Sequence, residues 1–325
     1  MVSTGMNIHT RQWQKQGLIY VPAGDRPWSR THAQLPLVQQ RGAYWRIYFA
    51  TRNDQGQSNI SFFETPAGDP GTITHLHDGV LLPFGDLGTF DESGIMPLSL
   101  VQAGNGRWHL YYAGWTQRKT IPYHNSIGLA VSDDDCRTFR KLYQGPLLDA
   151  RRDEPFFTGT AHVQIENGLW RMWYQSCTGW VKNGTQVEPL YHIKYAESAD
   201  GIEWRRNGSI AIDYKDAEEG GICNATINRT RAGYEMWYCY RKARDYRTNP
   251  SNSYRIGYAI SDDGIRWERH DNVVGIDISS EGWDSAMIAY PHYCHFKDKE
   301  YLFYNGNGFG ATGIGFATWQ ESIHG

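Results

Sequence analysis

Short runs along the chain alternate apolar and polar positions and end in Gly- or Asp-containing turns, while helical periodicity is nearly absent. That pattern predicts antiparallel β-strands throughout. One aromatic run recurs five times, at Trp45–Ala50 (WRIYFA), Trp108–Gly114 (WHLYYAG), Trp170–Ser176 (WRMWYQS), Tyr234–Tyr240 (YEMWYCY) and Tyr301–Gly306 (YLFYNG). After three of them a second run leads into a turn, from Ile127 (IGLAVSDDD), Ile193 (IKYAESADG) and Ile256 (IGYAISDDG). Shortened versions start at Ile60 and Ile314. A third run follows each turn. Ser132, Ser198 and Ser261 lie 66 and 63 residues apart, and five such periods fill the 325 residues. A fixed period of this kind marks a repeat architecture. Four strands per unit and five units predict an all-β fold, a five-bladed β-propeller of four-stranded antiparallel blades, with residues 1–325 forming one domain. The last unit lacks a fourth run. Arg11–Pro22 (RQWQKQGLIYVP) supplies the missing pattern, with Trp13 standing where Trp204 and Trp267 stand. Residues 11–22 are therefore expected to complete the last blade and close the ring, leaving no unpaired edge.

Composition agrees with many strands joined by tight turns: 14% aromatic residues, with 13 Trp and 21 Tyr, and 35 glycines. With 32 basic and 35 acidic side chains the net charge is −3, which argues against a nucleic-acid or membrane-surface binder that works by basic excess. No apolar run reaches the ~18 residues of a membrane span. The first ten residues are polar and lack the basic start and apolar core of a secretory signal. Five cysteines, odd in number and never spaced C-x-x-C, read as reduced thiols of a cytoplasmic protein. No cofactor or metal is implied. His292 and His295 fall on opposite faces of a strand, the wrong parity for a ligand pair. NGNGFG at Asn305–Gly310 has the glycines of a phosphate loop but no helix after it, so it is read as a tight turn.

Candidate chemistry gathers where the first strand of each unit begins. Asp91, Glu154, Glu219 and Asp284 stand at nearly the same place in four units, and Arg30 and His32 take that place in the first. Like charges around one channel mouth repel, so acids there suggest a use. Glycosyl chemistry has one, an acid for the leaving oxygen and a second carboxylate for water or attack. These four are the candidate catalytic residues. Three long connections, at Gly114–Ser126, Cys177–Tyr191 and Tyr240–Tyr254, fall on the same face and carry aromatic and basic residues suited to sugars and anions. Candidate substrate-binding residues are Arg30, His32, Arg52, Trp115, His162, Trp180, Arg241 and Tyr290. The acids of the S-x-D-G turns, Asp200 and Asp263, are read instead as caps of their own turns.

The S-x-D-G-x-x-W hairpin resembles the Asp-box of sialidases and other propellers. The five-unit repeat with acids on inner strands resembles the propeller glycosidases that include arabinanases, β-xylosidases and invertases, and also the β-mannoside phosphorylases. WRMWY, YAESADGIEW and YNGNGFG are similar to segments of uncharacterised bacterial propellers grouped with glycosidases. The resemblance implies a carbohydrate-active enzyme, with Asp91 at the supporting-acid position and Glu154 at the general-acid position. Where those glycosidases carry an Asp in the first blade, this chain has Arg30-Thr31-His32-Ala33. The leading expectation is a glycoside hydrolase. The alternative is a phosphorylase or glycosyltransferase using a phosphorylated or nucleotide-linked sugar, with Arg30, His32 and Arg52 as phosphate ligands. A non-catalytic glycan-binding propeller is the reading from another class.

Overall fold

The structure, a computed structural model, describes residues 10–320. The polar first segment, read above for a secretory signal, lies up to residue 9 outside them. The chain is built almost wholly of short strands. After β1 (Gln14–Tyr20) come β2 (Thr31–Arg41), β3 (Tyr44–Arg52), β4 (Ser58–Pro66) and β5 (His75–Leu76), a four-stranded antiparallel meander. The second meander is β6 (Gly94–Gln102), β7 (Trp108–Gln117), β8 (Tyr123–Ser132) and β9 (Arg140–Lys141). The third is β10 (Thr158–Glu166), β11 (Leu169–Asn183), β12 (Gln186–Ser198) and β13 (Ile210–Ile212). The fourth is β14 (Glu219–Arg229), β15 (Tyr234–Lys242), β16 (Arg255–Ser261) and β17 (Glu268–Arg269). The last unit contributes β18 (Ala289–Phe296), β19 (Lys299–Asn305) and β20 (Ile314–Trp319), and β1 pairs with β20 as its fourth strand. Among the described residues no sheet closes on itself. Single parallel bridges join the first unit to the second and the third to the fourth, giving two eight-stranded sheets beside the four-stranded one.

The aromatic at the fourth place of the first four recurrent runs explains how the units stack. Tyr48, Tyr111, Trp173 and Trp237 each receive, edge on, an aromatic from the next unit's outer part: Phe139, Trp204, Trp267 and Trp13. Trp13, on the chain ahead of β1, thus does for the fifth unit what Trp204 and Trp267 do for the third and fourth. The S-x-D-G turns behind these wedges are capped as their sequence predicts. Asp200 accepts from the backbone N–H groups of Ile202 and Glu203, which hold its carboxyl below the usual range. Asp263 accepts in the same way from Ile265 and Arg266.

The first strands adjoin in sequence, β2 with β6, β6 with β10, β10 with β14 and β14 with β18, and β18 also lies against β2. Hydroxyls stitch three of these seams: Ser99 to Val163, Thr160 to Asn224 and Thr226 to Tyr293. Every first strand breaks register with its second, between Gln34 and Leu37, Pro97 and Ser99, Thr158 and Ala161, Cys223 and Thr226, and Ala289 and His292; the first and fourth units carry a second break nearer the strand start. Such bulges re-aim side chains. Leu35, Asn224 and Tyr290 sit there at φ of 57°, 57° and 56°, a conformation that costs about 1–3 kcal/mol apiece and clusters at functional sites. All five cysteines are free thiols. No helix of the described residues is long and apolar enough to cross a membrane.

Candidate functional site

The bulges open into a cavity of about 680 Å³, within the usual range for small-molecule sites. Its floor includes Leu35, Met96, Thr160, Cys223 and Tyr290, one or more from each first strand. Two long hairpins wall it. The β11–β12 hairpin runs 15 residues up and 13 back around Gly184-Thr185, against 9 residues in β3, and its excess length corresponds to roughly 20 Å of overhang. It brings Thr185, Gln186, Val187 and Glu188 to the cavity, and the β7–β8 hairpin brings Arg118 to Tyr123. Phe309, at φ 60° in the turn Asn307–Gly310, also faces it; the NGNGFG segment is a turn that shapes a wall.

Glu188 is the one carboxylate among the described residues lining this cavity, whereas Arg52, Arg118, Lys119 and Arg247 all line it. Glu188 is buried. It accepts from the Tyr246 hydroxyl and, at 2.9 Å, from Nε of Arg247. The Arg52 guanidinium has no carboxylate within ion-pair distance among the described residues. Burial, together with the charge of Arg247, lowers its pKa from the ordinary value. Trp115 presents an indole face while its Nε1 donates to Ser58 at 2.7 Å. Gln34, Gln175 and Asn125 add amide groups. The set can bind a polar, ring-shaped, negatively charged molecule.

The four acids expected to be catalytic are not brought together here, and none lines the cavity. Each is buried against a cation from its own unit's outer strands. Asp91 meets Lys141 at 2.6 Å and accepts from the Tyr112 hydroxyl at 3.0 Å. Asp284 meets Lys15 at 2.7 Å and the Tyr304 hydroxyl at 3.0 Å. Glu154 accepts from the Tyr174 hydroxyl at 3.0 Å and is ringed by Arg151, Lys194 and Arg206. Glu219 holds Arg269 through two bonds of 2.7 and 2.9 Å, while Tyr238 turns to Asp271 beside it. The geometry is that of a staple between the start of the first strand and the edge of the sheet. In the first unit Phe49 replaces the tyrosine and no acid is present; Ser29 and Thr51 bond each other instead, at 2.7 Å.

Of the expected binding residues, Arg52, Trp115 and Tyr290 line the cavity. Arg30 does not: it pairs with Asp54 at 2.8 Å and donates to the Gly24 carbonyl. His32 bonds its neighbour Thr31, with burial holding its pKa down to about 4. His162 lies deeper, its Nε2 buried without a partner; burial and nearby His292 keep the ring neutral, with a pKa lowered to about 3. Trp180 packs on Phe157 and Tyr123 behind the wall, and Arg241 is buried behind three cavity tyrosines. Sequence reasoning passed over Glu188, Tyr191 and Tyr254. Glu188 stood inside a loop singled out for its length, but acids were sought only at strand starts.

Asp91→Asn and Asp284→Asn are expected to lower the melting temperature, at a cost of about 3 kcal/mol for breaking a buried pair, and to leave ligand affinity at the cavity unchanged. Normal stability with a lost ligand or lost turnover would return these acids to the chemistry.

In architecture this is the fold of the propeller-type glycoside hydrolases and mannoside phosphorylases. A structure described as a glycoside hydrolase superposes with a TM-score of 0.72 at 19% identity, over 97% of this chain and 95% of that one. Another comes from work on the GH130 family of mannoside phosphorylases, described as containing glycoside hydrolases that target β-1,2-mannosidic linkages in Candida mannan. It superposes with a TM-score of 0.70 at 15% identity, over 97% and 95%. No family profile matches the chain. The uncharacterized protein Rv1502 of Mycobacterium tuberculosis is 35% identical over 310 residues, 95% of this chain and 99% of that protein. The chain belongs to the family of Rv1502.

Proposed function

We propose that the protein is a carbohydrate-active enzyme that transfers a glycosyl group between a phosphate and a sugar hydroxyl. The five four-stranded units are read as the blades of one propeller around a central channel, and the cavity as its active mouth. The free thiols suit a reducing compartment such as the cytoplasm.

The observation that carries this reading is the charge of the cavity: among the described residues one carboxylate, Glu188, lines it with four cations, of which Arg247 pairs with Glu188 and the others, the buried Arg52 among them, have no carboxylate within ion-pair distance. Ordinary glycoside hydrolysis uses two carboxylates about 5–9.5 Å apart, and only one is supplied by the lining residues. A phosphate group brings its own negative charge and nucleophilic oxygen, and guanidinium groups hold it by charge-assisted hydrogen bonds. In the synthetic direction the acceptor hydroxyl oxygen attacks the anomeric carbon and its proton passes to Glu188. The anomeric C–O bond to phosphate breaks with its electron pair staying on the phosphate, against Arg52 and Arg247. Phosphorolysis is the same path reversed. Glu188, which accepts from both Tyr246 and Arg247, is oriented as the base.

The test is a panel of sugar 1-phosphates with saccharide acceptors, and of oligosaccharides with and without inorganic phosphate. Phosphate release in the first set, or phosphate-dependent formation of a sugar 1-phosphate in the second, is expected, and Arg52→Ala should raise the KM for the phosphorylated substrate at least ~10-fold. Free sugar released without phosphate, at equal rate in Arg52→Ala, would overturn the reading in favour of hydrolysis. Binding of saccharides with no turnover in either set would leave a glycan-binding propeller.

A further inference from the structure

Three other arginines, two buried and one half-buried, meet carboxylates: Arg11 meets Glu235 and Glu300, Arg171 meets Glu166, and the half-buried Arg269 meets Glu219 and Asp271. Arg241, at 1% exposure the most enclosed of the four, has none within ion-pair distance among the described residues. Its Nη atoms donate to the carbonyls of Lys242 and Pro189, at 2.8 and 2.7 Å. Its Nε sits 3.3 Å from both the Tyr191 and Tyr254 hydroxyls, and its guanidinium lies 3.7 Å from the centre of the Tyr246 ring. An enclosed cation without a counter-charge is costly, and phenol oxygens and ring faces offset only part of that cost. All three tyrosines line the cavity. The positive field of Arg241 therefore reaches the cavity through them.

Proton counting gives the direction of that field a chemical form. The Tyr191 and Tyr254 hydroxyls are in contact with each other, and both accept from Arg241. Two O–H groups share one mutual bond, so one proton remains to be donated. Among the described residues the other neighbour of the pair is the Cys223 thiol, which donates weakly to the Tyr254 oxygen at 3.9 Å and takes no proton from it. Burial raises both phenols well above their ordinary pKa against the pull of Arg241, so they act as neutral donors.

We propose that Tyr191 and Tyr254, with Arg241 as the positioning charge behind them, form an oxyanion subsite of the cavity, which takes a phosphoryl or carboxylate oxygen of the sugar ligand. The ligand's sugar character rests on the function proposed above; the anion subsite is tested separately from it. An anion there supplies the charge that Arg241 lacks and the acceptor that the phenol pair lacks. Arg52 lines the same cavity from the first unit, so the cavity offers two cationic anchors, one direct and one relayed through phenols.

Calorimetric binding of inorganic phosphate and of glucuronate, without turnover, tests this in the wild type, Tyr191→Phe, Tyr254→Phe, Arg241→Lys and Arg52→Ala. Tyr191→Phe or Tyr254→Phe should weaken one of the two anions ~10-fold at unchanged melting temperature, because a donor hydroxyl is lost from a buried charged contact. Arg241→Lys keeps a charge but loses the fork that bonds the Lys242 and Pro189 carbonyls and lies on the Tyr246 ring, so it should weaken the same anion at least as far as the Phe variants. Selective weakening of phosphate assigns the subsite to a phosphoryl group, and selective weakening of glucuronate to a sugar carboxylate. Wild-type affinity for both anions in both Phe variants, with weakening in Arg52→Ala, would overturn the subsite and leave the proposed function standing. Failure of the wild type to bind either anion would overturn both.

Discussion

Removing residues 1–22 is expected to unfold the protein, and Arg11→Ala alone to remove about 3–5 kcal/mol of its stability. The segment enters three separate contacts, each with a physical cost. Strand β1 is the fourth strand of the last sheet, so its loss leaves the β20 edge unpaired. Trp13 is wedged on Trp237 at 6.1 Å in the core between the fourth and fifth units, where truncating a tryptophan costs about 3–5 kcal/mol. Arg11 clasps Glu235 of β15 at 2.7 Å and Glu300 of β19 at 2.6 Å, and lies over the Trp237 ring. Without it two carboxylates stay in a poorly solvated place with no counter-charge. Single domains hold only about 5–15 kcal/mol in all, so losing the wedge and the clasp together consumes most of it. The clasp also sets a pH signature. Burial raises the Glu235 pKa, and hydrogen bonding and charge from Arg11 outweigh this, so the net shift is downward from 4.5. A lowered carboxyl contributes stability that is complete above its unfolded value and lost as the pH falls through the folded one. Wild-type stability should therefore drop on acidification below about pH 4.5 more steeply than that of Arg11→Ala. Thermal melts over that range check both statements; an unchanged melting temperature in the truncated chain would remove β1 from the structural core.

The strands, their grouping in fours and the partner of Arg11–Pro22 were legible because alternation, turn chemistry and a recurring tryptophan are local signals that the period makes comparable. The ion pairing of the acids was not. Whether Asp91 or Glu219 faces the channel or the sheet edge depends on a partner about 50 residues away, Lys141 in one case and Arg269 in the other. The repeat does contain that information when three positions are read together. Each unit with an acid also has a tyrosine bonded to it or beside it, at the fifth place of the aromatic run in the second, third and fourth units and at Tyr304 in the last, and a cation beside its last strand; the first unit has Phe49 and no acid. Acid, phenol and cation thus come and go as a set, which is the signature of a staple. The cavity is harder to read because it is built where the repeat breaks down. Glu188 lies on the overhang of one long hairpin, and Arg247 and Phe309 on second-to-third-strand connections whose length and sequence differ from unit to unit. Periodicity is silent there, and only the folded chain brings Glu188 within 2.9 Å of Arg247.

Glu188→Gln is expected to abolish most turnover, by ~10²–10⁴-fold, while substrate still binds. The amide keeps the size of the side chain and can still accept from Tyr246, so the wall of the cavity should persist. It cannot take the acceptor's proton in the synthetic direction or return it in phosphorolysis, and among the described residues no second carboxylate lines the cavity to replace it. The fall should therefore appear in kcat with little change in KM, the mark of an interaction made chiefly in the transition state. Arg52→Ala should do the opposite, raising KM for the phosphorylated partner, because its guanidinium holds charge that is present in ground and transition states alike. Glu188→Gln also leaves Arg247 without its anion, so a tighter hold on phosphate in this variant is a second expected result. Single-turnover kinetics with a sugar 1-phosphate, beside calorimetric binding of phosphate, separate the two effects. Full turnover in Glu188→Gln would take the proton-transfer role from this carboxylate and leave it the task of holding Tyr246 and Arg247 in place.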